Sequence, residues 1–164
     1  MAGKKGPPII PTIGSGFFLI VFGGKSFMHC IIELLKNCRD WGATIILIIS
    51  ATRHQLRIVD NGDGMDERRR NAFFSVKKPT GDQAWQSSTY GTGTKQTLYS
   101  QAVRVTVRTA PKEEPGVVYL FSFTAEEYEE CALDKRPLAP EVLKKTDKTW
   151  PYDFDFGTEL TYEL

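Results

Sequence analysis

Apolar residues recur at helical spacing between Ser26 and Cys38: Phe27, Ile31, Leu34, Leu35, Cys38 and Trp41 share one side of a projected helix. Glu33, Asn37 and Asp40 fall within about 60° of one another on the opposite side, at 100° per residue, with Ser26 and His29 in the same sector. The pattern predicts an amphipathic helix that stops at Gly42, within Trp41-Gly42-Ala43-Thr44. The next stretch, Thr44–Ser50 (TIILIIS), is β-branched and apolar, and Gln55–Asp60 (QLRIVD) alternates, so two adjacent strands are expected, joined through 51–54. Asp66 is positioned to cap a short helix reaching Phe74. After it, 75–92 has little periodicity and is long for a connection in a compact domain. A helix over Thr94–Gln101 follows, and then two alternating segments, Ala102–Thr109 and Val117–Thr124, form a hairpin around Pro115-Gly116. Residues 125–150 mix charges with Pro137 and Pro140 and are expected as a surface excursion, which either binds a partner or covers the sheet edge. Gly157–Leu164 returns to strand alternation. Helices followed by hairpin strands predict an α+β fold, a two-layer sandwich of helices on a mixed, mainly antiparallel sheet.

A chain of 164 residues is long enough for one domain with a real core and short for two. The expected organisation is a flexible leader at 1–16 and a single domain over 17–164. Phe17–Phe22, the one unbroken apolar run of the N-terminal region, is far too short to span a membrane, and prolines and glycines interrupt its surroundings. The region therefore predicts a leader and a short strand, with no membrane partner. Lys and Arg number 21 against 20 Asp and Glu, a net charge of +1, so no global attraction to nucleic acid or anionic lipid arises. Three cysteines, Cys30, Cys38 and Cys131, show no CxxC spacing; this argues against a disulfide framework or a zinc cluster and for a reducing compartment, cytoplasmic or, in a eukaryote, nuclear.

Three sites carry chemistry. A carboxylate and an amide one helical turn apart, Glu33 and Asn37, can divide the work of nucleotide hydrolysis: the amide oxygen suits a hard cation, and the carboxylate orients and deprotonates a water. Asp60 ends an apolar strand, where an acceptor-only carboxylate is costly to bury unless a donor such as an adenine amino group faces it. It opens Asp60-Asn61-Gly62-Asp63-Gly64-Met65, which by itself would also suit an ordinary turn. Tyr90-Gly91-Thr92-Gly93-Thr94-Lys95 precedes a predicted helix and supplies free N–H groups, two positions without side chains and a cation, the parts of a phosphate cradle. It has neither Walker spacing nor dinucleotide-site context. The run Arg68-Arg69-Arg70 reads as a solvated face; Lys77 and Lys78 read as part of a solvated loop, with contact to phosphates or a partner subunit as the alternative.

In combination these segments resemble the GHKL ATPase superfamily of gyrase, heat-shock chaperone, histidine kinase and MutL type, closest in motif style to MutL and MORC members. Glu33, Asn37 and Asp40 followed by Gly42-Ala43-Thr44 resemble its N-box, with Trp41 where the family commonly has alanine. Residues 60–65 match its DxGxGM adenine loop, 91–95 its lid glycine motif, and Gly157-Thr158 its terminal GT element. The resemblance spans roughly 26–110 and the last eight residues, in the family's order. It implies the Bergerat ATP-binding fold, with ATP and Mg²⁺ as ligands. Asn37 would hold the metal, and Glu33 would be the base. Lys95 and the lid (75–94), including Tyr90, Gly91, Thr92, Gly93 and Thr94, would neutralise and enclose the phosphates. Asp60 would take the adenine amine, Gly62 and Gly64 would admit the base, and Met65 would pack on it. The Thr158 hydroxyl would support Asp60, and Asp40 would anchor a water or a lysine. The implied activity is slow Mg-dependent ATP hydrolysis driving a dimerisation switch, with further domains or protein partners. The alternatives are a protein kinase of histidine-kinase or anti-sigma type and a nucleotide-sensing module.

Overall fold

A computed structural model describes residues 4–5, 27–74, 102–134 and 137–164. The lid, the predicted helix over Thr94–Gln101, the strand around Phe17–Phe22 and the residues Ser26, Lys77, Lys78, Tyr90, Gly91, Thr92, Gly93, Thr94 and Lys95 lie outside the described residues. The elements in chain order are β1 (Lys4–Lys5), α1 (Phe27–Asp40), β2 (Ile46–Ala51), β3 (Gln55–Asp60), α2 (Glu67–Phe74), β4 (Arg104–Ala110), β5 (Val117–Phe123), α3 (Ala125–Leu133), β6 (Glu141–Lys144) and β7 (Gly157–Glu163). The seven strands form one sheet in the order β1-β6-β5-β4-β7-β3-β2, and every described pairing is antiparallel. The expected α+β class and layering are therefore observed. No described helix is long and apolar enough to cross a membrane.

Strand alternation decides what each side of the sheet meets. Leu56 and Ile58 of β3, Val105 and Val107 of β4, Phe121 and Phe123 of β5, and Leu160 and Tyr162 of β7 project into the main core, where Leu34 of α1, Phe74 of α2 and Tyr128 of α3 meet them. Each such buried side chain contributes roughly 1.5–3 kcal/mol through removal of apolar surface from water. On the other side, Val59, Ala110, Val118 and Trp150 form a smaller cluster covered by Tyr152 and Phe154. Beside it, Glu159, only 4% exposed, accepts from Arg57 Nε at 2.9 Å, Arg108 NH1 at 3.1 Å and Tyr152 Oη at 2.6 Å. Burial opposes its ionisation, but the Tyr152 hydrogen bond and the two guanidinium groups outweigh it, so its pKa lies below the usual value. This carboxylate ties β3, β4 and β7 to the loop before the last strand.

The α1 helix ends at Gly42 as the sequence predicts: Ala43 N–H donates to Cys38 O at 3.1 Å and Gly42 N–H to Arg39 O at 3.0 Å, the paired bonds of a Schellman stop. Its buried side is Cys30, Leu34 and Cys38, with Phe27 and Ile31 packed against the core. Cys30 was absent from the predicted face, and Leu35 and Trp41 are half-buried. The apolar strand after it, β2, lies at the sheet edge, and Leu47, Ile48 and Ile49 are exposed. Asp66 caps α2 as expected, its Oδ1 accepting from Arg69 N at 2.7 Å.

One expectation changes. The 125–150 stretch is more than a surface excursion. It begins with α3, whose N-cap Thr124 and Glu127 form a reciprocal capping box. The helix buries Tyr128, whose hydroxyl donates to Phe74 O at 2.7 Å, and the chain then runs into β6, which pairs with β5. Of the stretch expected as a flexible leader, Lys4 and Lys5 are described, and they pair with Val142 and Glu141 of β6.

Thr124→Ala removes one half of the capping box and should destabilise the protein by about 1 kcal/mol. Urea denaturation checks this; an unchanged midpoint with unchanged slope would remove the cap from any role in stability.

Candidate functional site

The α1 helix reaches the end of β3 through its buried flank, and its polar side chains lie on the other flank. His29, Glu33, Asn37 and Asp40 are half-buried. Glu33 Oε1 accepts from Lys36 Nζ at 2.7 Å, and Asp40 Oδ1 from Arg39 NH2 at 3.3 Å. The opposite flank of the helix carries Cys38 inward, and its thiol is hydrogen-bonded to Asp60. Burial, then the adjacent carboxylate, push that thiol far above its ordinary pKa, so it remains a neutral donor.

Asp60, 6% exposed, is the centre of the arrangement. Its Oδ1 accepts from Gly62 N–H at 2.8 Å, and the carboxylate also takes the Cys38 thiol and the Thr158 N–H, which lies across the β3–β7 ladder. Burial raises its pKa to about 6 against the downward pull of these three donors. The hydroxyl of Thr158, expected to support Asp60 directly, instead meets Thr109 Oγ1 at 3.2 Å, and the support comes from the Thr158 backbone. Thr109 was not identified from the sequence. It is fully buried, accepts from Met65 N–H at 2.8 Å and donates to Gly157 O at 3.1 Å, so it joins the loop after Asp60 to the start of β7. The available signal was a hydroxyl in register with inward-facing Val105 and Val107.

The loop after Asp60 is closely built. Gly64 has φ +68°, and a Cβ there would lie 2.2 Å from Ala110 O, so a side chain would force β3 and β4 ends apart. At Gly157 a Cβ would lie 2.0 Å from Asp60 O. Asn61 Oδ1 accepts from Thr44 N at 2.9 Å and Ile45 N at 2.7 Å and so fixes the start of β2. Met65 is buried in the main core cluster. Two arginines reach this loop from α2, which corrects the reading of Arg68–Arg70 as a solvated face. Arg69 donates from NH1 to Gly64 O at 3.1 Å and from NH2 to Asp63 Oδ2 at 2.9 Å. Arg70, 2% exposed, donates from NH1 to Met65 O at 2.7 Å and to Glu114 Oε1 at 3.2 Å. Arg68 is exposed.

No group of three or more His, Cys, Asp or Glu residues able to hold a metal occurs among the described residues. One neutral amide at Asn37 beside Glu33 nevertheless fits the chemistry of Mg²⁺, which takes few protein ligands and completes its shell with water and phosphate oxygens.

The sequence model for histidine kinase-, DNA gyrase B- and HSP90-like ATPases matches residues 25–149. No curated protein matches the chain. Among solved structures, the N-terminal domain of a DNA repair protein superposes with a TM-score of 0.59 at 16% identity, over 90% of this chain and 38% of that one. The Aquifex aeolicus MutL ATPase domain, complexed with ADP, gives a TM-score of 0.51 at 14% identity, over 85% of this chain and 42% of that one. At these identities the structures show a shared fold, and the chain spans about two fifths of their length.

The Asp60 shift has a definite sign in stability. Its folded pKa of about 6 exceeds its ordinary 3.8, so the fold favours the protonated acid, and that contribution is complete below about pH 4 and lost as pH rises through about 6. The amount is about 3 kcal/mol. Asp60→Asn should flatten the stability profile across this interval in denaturation at stepped pH; a variant keeping the parent's slope would show that another group is responsible.

Proposed function

The chain belongs to the family of histidine kinase-, DNA gyrase B- and HSP90-like ATPases, and on that premise we propose that it binds ATP with Mg²⁺ between α1 and the sheet, hydrolyses it slowly and uses the cycle as a conformational switch. The observation that carries this reading is the carboxylate of Asp60. An ionised carboxyl group offers roughly four acceptor positions; the described donors are Gly62 N–H, the Cys38 thiol and Thr158 N–H. An adenine amine supplies the further donor that a buried charge calls for, and it would favour the ionised form against the cost of burial.

In this proposal Asp60 selects the base, the backbone at Gly62 and Gly64 lies against its edge, and Met65 walls it on the core side. Asn37 and the phosphates would hold Mg²⁺, which when bound offsets phosphate charge. Glu33 orients the attacking water and accepts its proton, while Lys36 at 2.7 Å fixes the carboxylate's direction. Lys95 and the 90–94 backbone take the phosphates, and catalysis is mainly positioning and charge neutralisation. Asp40 anchors a water at the pocket rim, and Thr158 and Thr109 hold the adenine loop in register. Closure of the lid over ATP would favour a homodimer, with other domains or proteins receiving the change. The solved MutL domain holds ADP, which supports a nucleotide here.

Glu33→Ala should retain ATP binding and lose at least a hundredfold in turnover, about the contribution of general-base catalysis. Phosphate release and equilibrium binding measured on the same preparation test it, and undiminished turnover removes Glu33 from the mechanism. Asp60→Asn should weaken ATP binding by about tenfold or more, the scale of one hydrogen bond to a charged group; parental affinity in that variant would count against the adenine assignment. Adding candidate protein acceptors to the first assay distinguishes phosphoryl transfer to protein from transfer to water.

A further inference from the structure

We propose that Trp41, Arg69 and Arg70 are positioning residues that clamp the adenine loop from both sides and thereby set nucleotide affinity and base selectivity; this rests on the ATP reading above. Consecutive residues of α2 point about 100° apart, and here that divergence sends two guanidinium groups around one loop. Arg69 reaches toward α1. It holds Gly64 O and the Asp63 carboxylate, and its guanidinium carbon lies 5.3 Å from the centroid of the Trp41 ring. Trp41 completes the circuit, because its carbonyl accepts from Asp63 N–H at 3.2 Å. Arg70 reaches the other way, toward the β4–β5 turn. It holds Met65 O and Glu114, and its guanidinium carbon lies 3.7 Å from the Tyr119 ring centroid, while the Tyr119 hydroxyl donates to Glu114 Oε2.

Asp63, Gly64 and Met65 are thus each held by an arginine. These three residues follow the base-selecting Asp60 and form the surface against which the base would pack, so their placement decides whether the amine meets the carboxylate. Small misplacements in such a site cost disproportionately, since hydrogen bonds to a buried carboxylate have a narrow range of productive geometry. Trp41 stands where the resemblance has alanine, and an alanine offers no ring to a guanidinium. The Trp41–Arg69 pair therefore gives this chain a link from the end of its N-box helix to its adenine loop that the family pattern does not require. A planar, delocalised cation stacks on an aromatic face and donates in a fixed fork at the same time, which explains arginine at both positions.

The test uses the full chain with Arg69→Gln, Trp41→Leu and Trp41→Phe. Arg69 and Trp41 are partly exposed, so these variants should fold where Arg70→Leu would not. Binding of Mg-ATP and Mg-GTP is measured by calorimetry, together with KM and kcat and a melting curve for each protein. Arg69→Gln and Trp41→Leu should weaken ATP by about five- to tenfold, lower the ratio of ATP to GTP affinity and raise KM with kcat unchanged; Trp41→Phe, which keeps a ring, should stay near the parent. Folded variants with parental ATP affinity and parental selectivity would overturn the clamp, as would a loss confined to the active fraction with Kd unchanged, the mark of a role in folding alone. A parent that fails to bind ATP defeats the underlying reading instead, and the parental measurement separates that result from failure of the clamp.

Discussion

A carboxylate withdrawn from water at the end of a strand has to be supplied with donors or lose its charge, and much of this fold can be understood as the supply of donors to Asp60. One comes from the tight loop that follows it, through Gly62 N–H; one from the buried flank of α1, through Cys38; one from β7, through Thr158. Three separate parts of the chain are therefore fixed against one another at a single group. The residual destabilisation of the ionised form is the chemical potential a ligand can exploit.

Local patterns in the sequence carried the parts of the site that depend on neighbours along the chain. The alternation of QLRIVD gives β3, Gly42 stops α1 in the predicted manner, and Asp66 caps α2. Glu33, Asn37 and Asp40 share a half-buried flank because their spacing demands it. What was not legible depends on distant pairing. Thr109 acts between Met65 and Gly157, forty-four and forty-eight residues away, and its own segment reads as an ordinary strand. Residues 125–150 were obscured by charge: Thr124 and Glu127 form a capping box, yet the glutamates around Tyr128 and the prolines after it suggest a solvated segment. Arg70 was read with its neighbours as part of a basic run, although it is four residues before Phe74 and so lies on the helix side that faces the core.

The two faces of the sheet solve different problems. Toward the helices the contacts are apolar and aromatic, with the Phe74 ring against those of Phe121 and Phe123. Away from them, charged residues occupy the central strands, and Glu159 is stabilised by two arginines and Tyr152. Thr158 and Glu159 are consecutive, so one strand serves Asp60 on the helix side and the ionic cluster on the other. Disturbance of either cluster therefore has a short path to its counterpart through the β7 backbone.

The position of β7 also affects how occupancy and integrity are related. It is last among the described strands in chain order but lies between β3 and β4, and pairs with both along its length. Fraying at a sheet edge leaves the interior standing; departure of this strand would open the middle and remove the Thr158 donor from Asp60 in one event. Partial opening of the pocket's floor is thus nearly the same event as cooperative unfolding. Any ligand that engages Asp60 raises the free energy of that event in proportion to the logarithm of its concentration above its dissociation constant. Slowed amide exchange should consequently spread over β3, β4 and β7 together instead of staying beside the bound molecule.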